Sequence, residues 1–177
     1  AFLASQRPGG SAYAIGEPGL INALYQAGYT MNDINPDYVV VGEARSYSLA
    51  TVEKAVRLVL GGARLIGTNP DLSGPGEHGL VPACGALVAP IELATGRKAY
   101  FVGKPNPLIM RHALRTLGAT REVTAIIGDR MDTDIVAGVE AGIETALVLS
   151  GVTTREGLGN FAYKPGIVLE GLFEIPI

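Results

Sequence analysis

Tyr38-Val39-Val40-Val41 most narrows what this chain can fold into: four apolar residues in a row, three of them β-branched, closed by Gly42. β-Branched side chains favour the extended backbone. A strand apolar at every position needs cover on both faces, which is the condition of a parallel strand inside an α/β sheet. The rest of the chain repeats the theme. Residues 12–15, 64–67, 99–102, 123–127 and 145–149 read as further strands. Between them, residues 20–26, 48–60, 85–94, 107–117 and 133–141 read as helices, several closed by glycine (Gly28, Gly61, Gly118, Gly142). Such alternation predicts an α/β fold with mostly parallel pairing. Residues 1–7 read as helix stopped by Pro8-Gly9-Gly10, residues 68–83 as one long loop, and a soft boundary falls near Val102.

Composition removes several classes. Hydrophobic residues are 47% and charged residues 18% of 177, so a folded chain is expected rather than disorder. A net charge of −3 lacks the basic surplus of a nucleic-acid footprint, and no apolar run is long enough to span a bilayer. One cysteine, Cys84, excludes an internal disulfide and suits a reducing compartment, so the expected location is cytoplasmic.

Chemistry concentrates in Ile127-Gly128-Asp129-Arg130-Met131-Asp132-Thr133-Asp134. Three carboxylates fall within six residues, directly after an apolar strand, where open α/β sheets collect their ligands. Crowded carboxylates call for a hard cation, and Mg²⁺ prefers one or two of them, with water and phosphate oxygens completing its shell. The competing reading is a helix start, with Asp132 or Thr133 as cap and the other acids solvated. The spacing does not decide between the two. Gly103-Lys104-Pro105 also follows a strand, which would place the lysine amine at the same carboxyl edge as Asp129.

Taken in order, Gly103-Lys104-Pro105-Asn106-Pro107, the Gly128–Ile135 run and Leu149-Ser150-Gly151-Val152 resemble the later motifs of class IIA phosphatases of the haloacid dehalogenase (HAD) superfamily, the NagD-like and p-nitrophenylphosphatase type. Asn35-Pro36-Asp37, Val41-Gly42, Thr68-Asn69-Pro70-Asp71 and the segment 82–85 resemble that group's cap domain. The resemblance implies part of a Rossmann-like HAD core, its C-terminal half with a parallel sheet, in residues 103–177. It implies an α/β cap of the C2 type in residues 9–102, and makes residues 1–8 the tail of a preceding core segment. It also implies a Mg²⁺-dependent phosphatase working on small phosphate monoesters through an aspartyl-phosphate. Lys104 is then the phosphate-side lysine, Asp129 the direct metal ligand and Asp134 its support through water. Arg130, Met131, Asp132 and Thr133 form the metal loop, and Thr68, Asn69 and Asp71 meet the substrate. The implied partner is a small phosphorylated metabolite, a nucleotide monophosphate or a sugar or polyol phosphate. Homo-oligomerisation is left open.

The departure from that family is an absent Asp-X-Asp-Gly, the motif of nucleophile and general acid/base; the one Asp-X-Asp present is Asp132–Asp134. From this we expect a missing βαβ unit of about 30 residues or more. It would leave strand 123–127 without a partner on one side and the isolated chain inactive. The alternative function is a non-catalytic ligand- or partner-binding fragment of the same fold. Gly74-Pro75-Gly76-Glu77-His78-Gly79 spells G-x-G-x-x-G, but no strand feeds it directly and no helix follows, so it is set aside as a dinucleotide site. Cys84 reads as a small buried hydrophobe and His112 as a surface residue.

Overall fold

The structure is a computed structural model and describes residues 1–175; the last two residues of the segment 103–177 lie outside the described residues. The chain divides into two compact units, Ala1–Gly103 and Lys104–Ile177.

The first unit holds a five-stranded, all-parallel sheet in the order β2-β1-β3-β4-β7: β1 Ser11–Ile15, β2 Thr30–Met31, β3 Tyr38–Val41, β4 Arg64–Gly67 and β7 Tyr100–Phe101. The apolar run is its central strand, with none of its four residues more than 2% exposed. Val39 and Val41 face one core with Ala55, Val59, Val88 and Ile91 from helices α3 (Leu49–Leu60) and α4 (Cys84–Thr95). Tyr38 and Val40 face the other with Leu3 of α1 (Phe2–Gln6) and Leu24 of α2 (Pro18–Gln26). Strand alternation thus fills two cores from one sheet. Helix α1 belongs to this unit: the Tyr29 hydroxyl bridges the carbonyls of Leu3 and Arg7 at 2.8 and 2.7 Å. Ser48 turns out to be the cap of α3, its hydroxyl accepting the Thr51 N–H at 3.3 Å while Thr51 returns the bond.

The expected loop 68–83 contains an antiparallel hairpin, β5 Ser73–Gly76 with β6 Gly79–Pro82. The G-x-G-x-x-G run forms most of it, with Gly79 at φ +116° in the turn. Residues of β6 are exposed throughout, Leu80 by 80%, so no apolar alternation announced the hairpin in the sequence.

The second unit has a three-stranded parallel sheet, β10-β9-β8: β8 Ala125–Gly128, β9 Glu144–Val148 and β10 Ile167–Leu169. Helices α5 (Pro107–Leu117) and α6 (Val136–Ala141) contribute Met110 and Ala137 to one core cluster, which Ile143 completes just before β9. Met131, Ile135 and Leu147 pack with Leu158, Phe161 and Tyr163 in a second cluster. Strand β8 is the sheet's edge among the described residues, with Ile127 45% exposed. It starts at Ala125 because Arg121–Val123 closes a 3₁₀ turn first. The expected helix 133–141 opens instead with a wider π turn over Met131–Ile135, in which Ile135 N–H reaches back five residues to Arg130 O at 3.1 Å. No helix among the described residues is long and apolar enough to cross a membrane.

Candidate active site

Asp129 leaves the carboxyl end of β8, and the next residues wind into the π turn. The wide turn brings Asp134 back over the strand end, where its Oδ2 accepts Arg130 N–H at 3.1 Å. A Cβ on Gly128 would run into the Asp134 carboxylate, so only glycine leaves it this place. Asp134 is buried, its side chain 6% exposed, and Lys104 Nζ forms an ion pair with its Oδ1. A buried carboxylate needs such partners, since losing one leaves a charge uncompensated. Lys104 precedes a cis peptide to Pro105, and Asn106 caps α5 by accepting Leu108 N–H at 3.0 Å. The lysine's own side chain remains 43% exposed.

Each of the other carboxylates has its own environment. Asp132 is 54% exposed and accepts Arg130 Nε and Nη2 at 3.1 and 2.8 Å. Asp129 Oδ2 accepts Val152 N–H at 2.8 Å, and its carbonyl accepts Thr153 N–H at 3.0 Å. Thr153 Oγ1 accepts Met131 N–H at 3.2 Å, and Tyr163 Oη donates to Met131 O at 2.9 Å. Burial, with Asp132 and Glu140 nearby, raises the Tyr163 hydroxyl above its ordinary range and keeps it a donor. A Cβ on Gly151 would meet the Asp129 carboxylate. Residues 151–163 therefore cradle the loop that follows Asp129, a part played by Thr153 and Tyr163 that their sequence spacing did not reveal.

The three acids do not converge on one point. Among the described residues, no three His, Cys, Asp or Glu side chains form a metal-holding group. Lys104 answers Asp134 and Arg130 answers Asp132, whereas no lysine or arginine pairs with Asp129 among the described residues. Among the described residues Asp129 is thus the one of the three acids that no lysine or arginine pairs with, a donor of the kind that suits the preference of Mg²⁺ for few protein carboxylates.

In the first unit, Thr68, Asn69 and Asp71 follow β4 as one polar chain. Thr68 Oγ1 donates to Asn69 Oδ1 at 3.1 Å, and Asn69 Nδ2 to Asp71 Oδ2 at 2.6 Å. Gly85 permits this loop to lie on α4, because a Cβ there would strike the carbonyls of Pro70 and Asp71.

Comparison with known proteins agrees with this layout. The family described as HAD-hyrolase-like matches residues 101–175. A dihydroxyacetone phosphatase of Corynebacterium glutamicum (strain R) is 47% identical over 98% of this chain and 63% of its own length. Ribonucleotide monophosphatase NagD of Escherichia coli (strain K12) is 48% identical over 99% of this chain and 69% of its own. A double mutant of a thermostable NPPase from Geobacillus stearothermophilus superposes with a TM-score of 0.92 at 40% identity, over 99% of this chain and 69% of that one. The chain thus spans about two thirds of the length of these relatives.

The expectation that this chain is an inactive fragment is corrected by the same matches. Nearly all of it aligns with proteins named as phosphatases. The chain belongs to the HAD superfamily, in its NagD-like, p-nitrophenylphosphatase-type group of phosphatases.

Proposed function

We propose that the whole protein is a Mg²⁺-dependent phosphatase of small phosphate monoesters. The observation that carries this reading is the Lys104–Asp134 pair, held over the strand end that bears Asp129. Lys104 has three N–H donors, and its partly exposed amine spends one on Asp134, leaving others for phosphate oxygens. Asp134 fixes the lysine's position, and Asp129, braced by Val152 N–H, would hold the cation. Bound Mg²⁺ supplies positive charge against the phosphate oxygens. The backbone of Arg130, Met131, Asp132 and Thr133 shapes the loop. Transfer through an aspartyl-phosphate belongs to this reading of the whole protein.

Substrate choice is assigned to Thr68, Asn69 and Asp71, whose polar atoms are gathered after β4. Relatives are named dihydroxyacetone phosphatase, ribonucleotide monophosphatase and acid sugar phosphatase, which points to phosphates of dihydroxyacetone, of ribonucleosides and of sugars. These classes make the natural test panel. Phosphate release from p-nitrophenyl phosphate and from the panel should require Mg²⁺ and stop in EDTA. Release that persists in EDTA, or in Lys104→Ala, would overturn the proposal. Asp71→Ala should change relative rates across the panel more than the rate on p-nitrophenyl phosphate; a uniform loss would make Asp71 structural instead.

A further inference from the structure

The first unit carries a cavity of about 380 Å³ at the amino ends of its strands, opposite the edge that bears Thr68. Its lining includes the first residues of three strands, Tyr38 of β3, Arg64 of β4 and Tyr100 of β7. Arg97, Lys98 and Phe2 complete the polar and aromatic wall, and no carboxylate is among the lining residues. In a chain of net charge −3, three cations on one concave surface stand against the background.

Each cation is differently placed. Glu92 answers Lys98 at 3.1 Å. The Arg64 guanidinium stands over the Tyr38 ring at 5.9 Å, and nearby Asp37 is itself paired with Arg7 at 3.0 Å. Among the described residues no carboxylate pairs with Arg97, so the wall keeps positive charge to spare. Phe2 and Tyr100 stack with ring centroids 5.1 Å apart and planes at 27°, and Tyr100 remains 44% exposed. The wall thus joins a flat aromatic platform to guanidinium groups. Nearby backbone N–H groups are already spent: Gly62 on Val59 O, Ala63 on Leu58 O and Arg64 on Asp37 O. An anion there would be held by side chains alone. The volume falls within the ~300–1,000 Å³ of small-molecule sites.

We propose that this cavity binds a small aromatic anion, a nucleoside monophosphate being the class that fits. Its base lies on Tyr100 and its phosphate between Arg64 and Arg97. The site is separate from Lys104 and Asp129 and does not depend on the phosphatase reading. Arginine suits both halves of such a ligand, pairing with phosphate through its planar fork and tolerating an adjacent ring. Charge contacts this exposed weaken with salt.

The test is equilibrium binding of adenosine 5′-monophosphate to the 177-residue chain in EDTA, with adenosine and inorganic phosphate as separate arms. We expect saturable binding that is tighter than in either separate arm and weakens as salt rises. Tyr100→Ala and Arg97→Glu should each weaken it about tenfold. Arg97 is exposed, so its variant keeps the test informative even if Tyr100→Ala fails to fold. The proposal is overturned by absent saturation, by equal affinity for inorganic phosphate alone, or by an unaltered Arg97→Glu.

Discussion

At the scale of single residues, the acids at the end of β8 differ in what surrounds them, and mutation should separate them. Asp129→Ala removes the carboxylate that no lysine or arginine answers among the described residues, and should abolish Mg²⁺-dependent phosphate release by the whole protein. Asp134→Asn keeps the shape but weakens the hold on Lys104, and should cost about 10–100-fold. Activity above a few per cent in Asp129→Ala would remove it from the metal site. Gly151→Ala is the subtler case: the added methyl meets the Asp129 carboxylate, so Mg²⁺ affinity should fall while the circular dichroism spectrum stays that of the parent. The acids and Lys104 were legible because short spacing and strand ends advertise them. Thr153 and Tyr163 were not, because their bonds to Met131 cross 22 and 32 residues and leave no local pattern.

At the scale of elements, strands apolar on both faces and helices ended by glycine were readable almost to the residue: β3, β4 and α5 stand where the sequence put them. Elements without a buried face were invisible. The hairpin β5–β6 is one, and β10, with Ile167 half exposed, is another. The π turn was hidden for a different reason, since Met131 and Ile135 lie at an ordinary helical spacing and only a hydrogen bond that spans five residues tells the two apart. One junction between elements should be visible in acid. Ser11 N–H at the start of β1 donates to Asp37 Oδ2 at 2.8 Å and holds that carboxyl below the ordinary aspartate range, with the Ser11 hydroxyl, Arg7 and Arg64 adding to it against burial. Folding therefore lowers the proton affinity of Asp37. Its contribution to stability is complete above the unfolded aspartate pKa and is lost as pH falls through the depressed folded value. Asp37→Asn should flatten this acid limb in thermal melts recorded against pH; an unchanged limb would show that other carboxylates set it.

At the scale of the whole molecule, every strand pair in the two larger sheets is parallel. A parallel pair cannot close until its crossover is in place, so such sheets depend on contacts distant in sequence and form slowly. Meanwhile β8 presents an edge with Ile126 and Ile127 only partly covered. Closing the sheet is a first-order event, whereas capture of that edge by a second chain is second-order. The two processes therefore part company with dilution: refolding yield should rise as protein concentration falls, and Ile127→Lys, a charge on the open edge, should raise the yield at high concentration without slowing the folding of the chains that succeed.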